Sequence, residues 1–300
     1  HSIRILMLAD DATFFHSDTN AMSNERMPCT VVYDEHEVFY NAGARLKGSG
    51  FGRIGGRLGF VLYFNPDHLF RGVHGSVSMD RNGGPPTVGA SQHEILFKQI
   101  VNRAGGIPGM YDDVVDVISP RGTDDSTAQL MMSRYSDLFL DSSYPNGADG
   151  TIYEFELIYY SMQTVDGNPE SLKRPPNYFN PPTFPVLGVD LQDMGNDKEQ
   201  YRWNYLIKNQ RRRDDYSRLM EMAKCFSLSG GALTEKSKQV LDIDEWMRMF
   251  ASEVLGGVAD TYHNGLQHNI QFYIRPDTNK ALSMPWDQDH TFYYDARSSI

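Results

Sequence analysis

A change of pattern part-way along this chain most constrains its fold. Up to about residue 160, apolar and β-branched residues come in short runs between turn signals. Beyond about residue 200 they recur at helical spacing. Strands are expected at 30–33, at 38–40 continuing through 42–47, and at 58–64, 114–118, 129–134 and 151–157, and residues 1–10 read as a further short strand. One helix interrupts them over 95–104; Ser91-Gln92-His93-Glu94 has the form of a capping box, and Gly105-Gly106 with Pro108 ends it. Helices are then expected over 199–208 and 213–226. Asp242 caps a third, with Trp246, Met247, Phe250, Val254 and Leu255 along its apolar side. A hairpin follows, 269–274 and 280–285 around a turn at 276–279. Between the two regimes lies a polar, proline-rich stretch carrying Arg174-Pro175-Pro176 and Asn180-Pro181-Pro182. The expectation is an α+β chain: a β-rich part over 1–160, an insert over 161–200 and a helical part over 201–300, together one domain.

Charge and composition narrow the function classes. The formal net charge is −11, from 39 acidic and 28 basic residues, which argues against duplex nucleic acid as a partner. The one basic run, Arg211-Arg212-Arg213, is followed at once by Asp214 and Asp215 and reads as a solvated face. No run approaches the roughly 18 apolar residues that cross a bilayer. The first ten residues lack an initiator Met and a basic leader start, and read as the beginning of a mature or excised piece of a longer chain. Cys29 and Cys225 are the only cysteines, too few to indicate a disulfide framework.

Three motifs carry chemistry. Gly50-Phe51-Gly52-Arg53-Ile54-Gly55 matches G-x-G-x-x-G but leads into a strand rather than a helix. That order suits a loop whose amides cover phosphates, and equally a hairpin loop using glycine for positive φ. Glu94 either completes its capping box or anchors a nucleotide-contacting base, for which Arg45, Lys47 and Arg57 are all candidates. Near the end, Asp260, Asn269 and the pair Asp287/Asp289 follow the order in which protein kinases set base, metal ligand and metal ligand. A hydroxyl nucleophile needs a proton acceptor, and a polyphosphate needs oxygen-bound divalent cations. Asp260 also fits an ordinary polar loop. Asp287 and Asp289 share one side of an extended segment, a common cation arrangement, or belong to a solvated turn. His263 and His268 near Asp260 fit no zinc spacing, and His268 reads as an orienting residue.

Taken together, Arg45-Leu46-Lys47-Gly48-Ser49, Glu94 on a helix closed by Gly106-Ile107-Pro108, Asp260, His268-Asn269-Ile270-Gln271-Phe272-Tyr273 and Pro285-Trp286-Asp287-Gln288-Asp289 resemble the spore-coat CotH kinase family over nearly the whole chain. The resemblance implies a two-lobed, atypical protein-kinase-like fold and phosphorylation of protein Ser or Thr with ATP and Mg²⁺ or Mn²⁺, in a secreted or cell-envelope setting. It implies Asp260 as base, Asn269 and Asp287 as metal ligands, and Asp289 as a supporting or second ligand. Glu94 would partner the nucleotide-binding base. Gly50, Gly52 and Gly55 would cover the phosphates, with Arg45, Lys47 or Arg57 contacting the nucleotide. Arg57 stands where the family usually has a Lys, the stretch 160–200 is longer than a minimal member needs, and the chain ends soon after Asp289. Two rival expectations are a catalytically inactive scaffold of the same family and a calcium-stabilised adhesion or carbohydrate-binding domain, with Tyr159-Tyr160 and Tyr178-Phe179 stacking on sugar.

Overall fold

A computed structural model describes residues 1–17, 19–21, 23–48, 53, 57–80, 92–155, 158–159, 186–187, 190–259, 261–265 and 269–292. The architecture is mixed α+β, with a seven-stranded barrel in the N-terminal part and several helices in the C-terminal part. Two compact units divide the chain. One takes in His1–Ile95 and Met110–Arg134 with Tyr159 and Val186; the other takes in Leu96–Gly109, Tyr135–Ile158 and Leu187–Ile300.

In the first unit, β1 (Ser2–Leu6), β2 (Met27–Tyr33), β3 (Glu37–Leu46), β4 (Phe60–Tyr63), β5 (Ser76–Asp80), β6 (Asp112–Ile118) and β7 (Ser126–Met132) close in the order β1-β2-β3-β4-β5-β7-β6. Every pairing is antiparallel except the closing one, where β1 runs parallel to β6 with Ile3 opposite Val117. Period-two alternation turns Ile3, Ile5, Val31, Tyr33, Ala42, Ala44, Leu46, Phe60, Leu62, Val77, Met79, Val115 and Val117 into one buried cluster. The expected strand over residues 1–10 is half right. β1 stops at Leu6, and a short helix, α1 (Ala9–Phe15), begins with Asp10 and Asp11 in its first turn, where acidic charge favours a helix N-terminus. Only Phe15 of that helix is buried, so it offers no apolar stripe to read.

Asp124 is the buried polar pivot of this unit. Its carboxylate accepts from the Leu58 amide at 3.0 Å and from both Nε and Nη2 of Arg121 at 2.9 Å, with His16 Nε2 at 3.1 Å. Burial alone would raise its pKa, but the hydrogen bonds from His16, Arg121 and Leu58 outweigh that and hold it below the usual value. Removing the acceptor strands several buried donors at once. Asp124→Ala is therefore expected to destabilise the protein by about 3–5 kcal/mol in urea unfolding. A loss below about 1 kcal/mol, the worth of an exposed pair, would contradict this account.

Helix α2 (Gln92–Ala104) extends three residues further back than expected and ends where Gly105 and Gly106 take φ of 74° and 75°. Ser91 of the expected capping box lies outside the described residues. Short helix α3 (Asp137–Ser143) has Ser136 as its N-cap, accepting from the Phe139 amide.

The second unit is built on an antiparallel four-stranded sheet in the order β11-β8-β12-β13, from β8 (Thr151–Phe155), β11 (Tyr205–Ile207), β12 (Ile270–Ile274) and β13 (Ala281–Pro285). Two-residue strands β9 (Ile158–Tyr159) and β10 (Val186–Leu187) pair separately. Helix α4 (Lys198–Asn204) stops short of the expected 199–208. Tyr205 and Ile207 alternate and pair with Phe155 and Tyr153, so the sheet takes them. Helix α5 (Ser217–Cys225) lies within the expected 213–226. Helix α6 (Gly230–Val240) was not expected, and it buries no residue, so its sequence carries no apolar stripe.

Helix α7 (Ile243–Leu255) was expected, and Trp246 and Phe250 face the core as expected, but the rest of its inward face differs. Its buried residues are Glu245, Trp246, Met249 and Glu253, while Met247, Val254 and Leu255 are exposed. Its C-terminus closes on the side chain of Phe97 in α2. A Cβ at Gly256 would stand 2.7 Å from that ring, so the approach requires glycine.

Glu245 accepts from the Ser283 amide at 2.8 Å and faces the Ser283 hydroxyl at 3.2 Å, tying α7 to β13. Burial pushes its pKa up from 4.5 to about 8, against those hydrogen bonds, and Asp242 and Glu253 push the same way. The folded state thus holds a proton that the unfolded state releases near pH 4.5, and stability falls as pH rises from there to about 8. Glu245→Gln keeps an acceptor and removes the titration. The melting temperature of this variant is expected to decline less than that of the wild type across that window; parallel curves would refute it.

Cys29 and Cys225 are both free and buried. Burial pushes the Cys29 thiol up to about 12, which suppresses its thiolate. Among the described residues, no helix is long and apolar enough to cross a membrane.

Candidate active site

The candidate residues fall into two groups, one in each unit. In the first, Arg45 and Lys47 lie at the end of β3 on the face opposite Ala44 and Leu46, hence outside the barrel interior. Arg45 donates from Nε to the Tyr63 hydroxyl at 2.9 Å. Burial would raise the Tyr63 phenol, but the guanidinium charges of Arg45, Arg134 and Arg26 bring it below its ordinary value. Lys47 is largely buried and forms an ion pair with Asp80 at the end of β5. Arg57 is exposed. Gly50, Gly52 and Gly55 lie outside the described residues.

Arg53, inside the glycine motif, was not singled out from sequence. It donates to the carbonyls of Gly48 at 2.7 Å and Ser23 at 2.9 Å and to Asn24 Oδ1 at 2.7 Å, anchoring itself among residues that precede the motif. Glu94 is fully buried in the first turn of α2, and Lys98, one turn later on the same face, is 1% exposed. A buried lysine is costly unless it meets negative charge or acceptors. The i, i+4 Glu-Lys spacing was its only sequence signal.

In the second unit, strand register assembles the site. Ile270 pairs with Pro285 at the open end of the β12–β13 hairpin, so Asn269 and Trp286 continue past the same end and Asp287 follows at once. Residues distant in sequence thereby lie on adjacent strand ends, whose axes run about 4.8 Å apart. Asn269 is buried, whereas Asp287 and Asp289 are half-buried. Asn269 and Asp287 both adopt left-handed backbone, φ 53° and 54°, a region that Asn and Asp tolerate better than most residues.

Asp260 and His268 lie outside the described residues, as do Tyr160, Tyr178 and Phe179. Both neighbours of Asp260 are fixed. The Ala259 amide donates to the His290 carbonyl at 3.1 Å, and the Ala259 carbonyl accepts from Asn264 at 2.7 Å. Thr261 is fully buried, its hydroxyl 2.5 Å from His263 Nδ1, which also lies 3.0 Å from Glu253 Oε2. His263 is thus engaged in hydrogen bonds rather than offered as a ligand.

Asn269, Asp287 and Asp289 present oxygen alone, the donor type of Mg²⁺ and Mn²⁺. Among the described residues, no three His, Cys, Asp or Glu side chains gather to hold a metal unaided. A magnesium-type ion needs only one or two protein carboxylates, because it keeps waters and takes phosphate oxygens. The donor set therefore fits an ion that arrives with a polyphosphate.

The family described as CotH kinase protein matches residues 130–299. The chain belongs to the CotH kinase family. The match spans over half of the chain and contains Asp260, Asn269, Asp287 and Asp289. The CotH match begins after Arg45, Lys47, Arg57, Glu94 and the glycine motif, which rest on their motifs alone. No curated protein matches the chain.

Proposed function

We propose that this CotH-family protein is an ATP- and divalent-metal-dependent protein Ser/Thr kinase with a two-lobed, atypical kinase-like fold, working in a secreted or cell-envelope setting. The observation that carries the reading is the hairpin register that brings Asn269 and Asp287 to one strand end, beside the His290 carbonyl that binds the neighbour of Asp260.

In this reading Asp260 takes the proton of a protein Ser or Thr hydroxyl as its oxygen bonds to the γ-phosphorus. The bond from that phosphorus to the β–γ bridging oxygen breaks, and ADP leaves with the electron pair. Asn269 and Asp287 supply oxygen ligands for the cation, with Asp289 in support. A divalent cation held there would supply neutralisation of the phosphate charge. Lys47 is the best-supported phosphate contact of the three basic candidates, because Asp80 holds its ammonium as a carboxylate holds the nucleotide lysine of kinases. Glu94, a buried carboxylate, is proposed as a second partner of the same base alongside Asp80. Positioning and charge neutralisation provide most of the acceleration.

The test is transfer of labelled γ-phosphate from ATP to the protein itself and to a Ser/Thr-rich acceptor, with Mg²⁺ or Mn²⁺ and with chelator. Metal-dependent label on Ser or Thr is expected. Metal-dependent nucleotide binding without any transfer would instead make the protein an inactive binding module.

A further inference from the structure

Between the two half-buried carboxylates Asp287 and Asp289, one side chain turns fully inward. Gln288 has no exposed surface. Its Nε2 donates to the Asn269 carbonyl at 3.2 Å and to the Trp286 carbonyl at 3.1 Å. Its own backbone carbonyl accepts from the Thr291 hydroxyl at 2.6 Å.

The two carbonyls are informative. That of Asn269 belongs to the peptide leaving Asn269, and that of Trp286 to the peptide entering Asp287. Fixing those planes fixes a backbone dihedral at each candidate ligand. Both ligands hold left-handed conformations, which Asn and Asp adopt more readily than other non-glycine residues but which local hydrogen bonds still have to hold. We infer that Gln288 is a positioning residue, whose single amide sets the spacing and orientation of Asn269 and Asp287 for a divalent cation. The inference rests on the kinase reading above.

Helix α7 supports this amide from behind. Glu253 is buried, which raises its pKa, while hydrogen bonds from His263, Gln288 and Thr261 pull the other way. The one carboxylate thus engages both the segment after Asp260 and the segment between Asp287 and Asp289. Thr261, His263 and Glu253 have the residue types of a nucleophile with its base and acid, but geometry excludes that role. Thr261 and Glu253 meet the same ring nitrogen, so no proton passes through the imidazole from one to the other, and Thr261 is fully buried. The cluster braces the loops.

The test uses the full chain and Mn²⁺, titrated by electron paramagnetic resonance in the presence of a non-hydrolysable ATP analogue. Gln288→Met keeps approximate volume without donors, and Gln288→Glu keeps shape while turning both attractions into repulsions. Ser283→Ala, which loses a buried hydrogen-bonding group facing Glu245, controls for general destabilisation. Both Gln288 variants are expected to bind Mn²⁺ about 10–100-fold more weakly, as for supporting residues at metal sites, with Ser283→Ala within about twofold of wild type. Should Gln288→Glu not fold, Gln288→Met decides. Wild-type Mn²⁺ affinity in Gln288→Met, or equal weakening in Ser283→Ala, would overturn the positioning role and leave the kinase reading standing. Absence of nucleotide-dependent Mn²⁺ binding in the wild type would remove both.

Discussion

Asp260→Asn is expected to abolish measurable phosphoryl transfer while nucleotide affinity stays within a few-fold of wild type. Asparagine matches aspartate in shape but accepts no proton at neutral pH, so the loss falls on the chemical step. General-base removal typically costs about 10²–10⁴-fold in rate. The backbone on either side should hold, because Ala259 is tied to His290 and Asn264 and Thr261 is buried. The discriminating measurement pairs single-turnover transfer with a fluorescent-nucleotide titration. Unchanged binding with lost transfer is the signature of an interaction used only in the transition state. Turnover near wild type would remove Asp260 from the base role.

Asp287→Ala should give the opposite signature. Here the metal-dependent part of nucleotide binding is lost, and transfer falls with it by at least about 10²-fold, the scale for deleting one electrostatic stabiliser of developing charge. The physical reason is the sparse donor set. With no three acidic, His or Cys side chains gathered among the described residues, each carboxylate that does face the cation carries a large share of its protein ligation. Nucleotide affinity in chelator should match between wild type and variant, whereas in Mg²⁺ the two should diverge. Equal Mg²⁺ dependence in both would mean that Asp287 is not a ligand.

The contrast between α7 and the barrel strands explains what could be read in advance. Cys29, Val31 and Tyr33 alternate with less buried neighbours along β2, and a period-two pattern needs no knowledge of the partner strand. The cap and position of α7 were equally legible, since the Asp242 side chain accepts from the Glu245 amide only three residues on. Its inward face was legible only in part. Hydropathy pointed rightly to Trp246 and Phe250 but also to Met247, Val254 and Leu255, whereas the structure buries Glu245 and Glu253. A glutamate is tolerated inside when distant groups satisfy it, here Ser283 for one and His263 for the other.

The candidate site divides along the same line. Asn269, Asp287 and Asp289 were visible as residue types in a suggestive order, and the family match contains them all. The pairing of Ile270 with Pro285 brings Asn269 and Asp287 to one strand end, and nothing in the sequence marks Gln288, whose side chain turns inward. Likewise the ion pair of Lys47 with Asp80 could not be read from the sequence, because the partner comes from β5, beyond an intervening strand.

By itself, then, the sequence determined the succession of strands and helices, their caps and stops, and the chemical types available for phosphoryl transfer, since each depends on residues a few positions apart. The tertiary structure alone decided the parallel closure of β1 on β6, which faces of α7 and β3 carry buried charge, and which residues lie at the open end of the hairpin. Those outcomes rest on hydrogen bonds and ion pairs between residues far apart in the chain, formed only once register and burial have removed water from both partners.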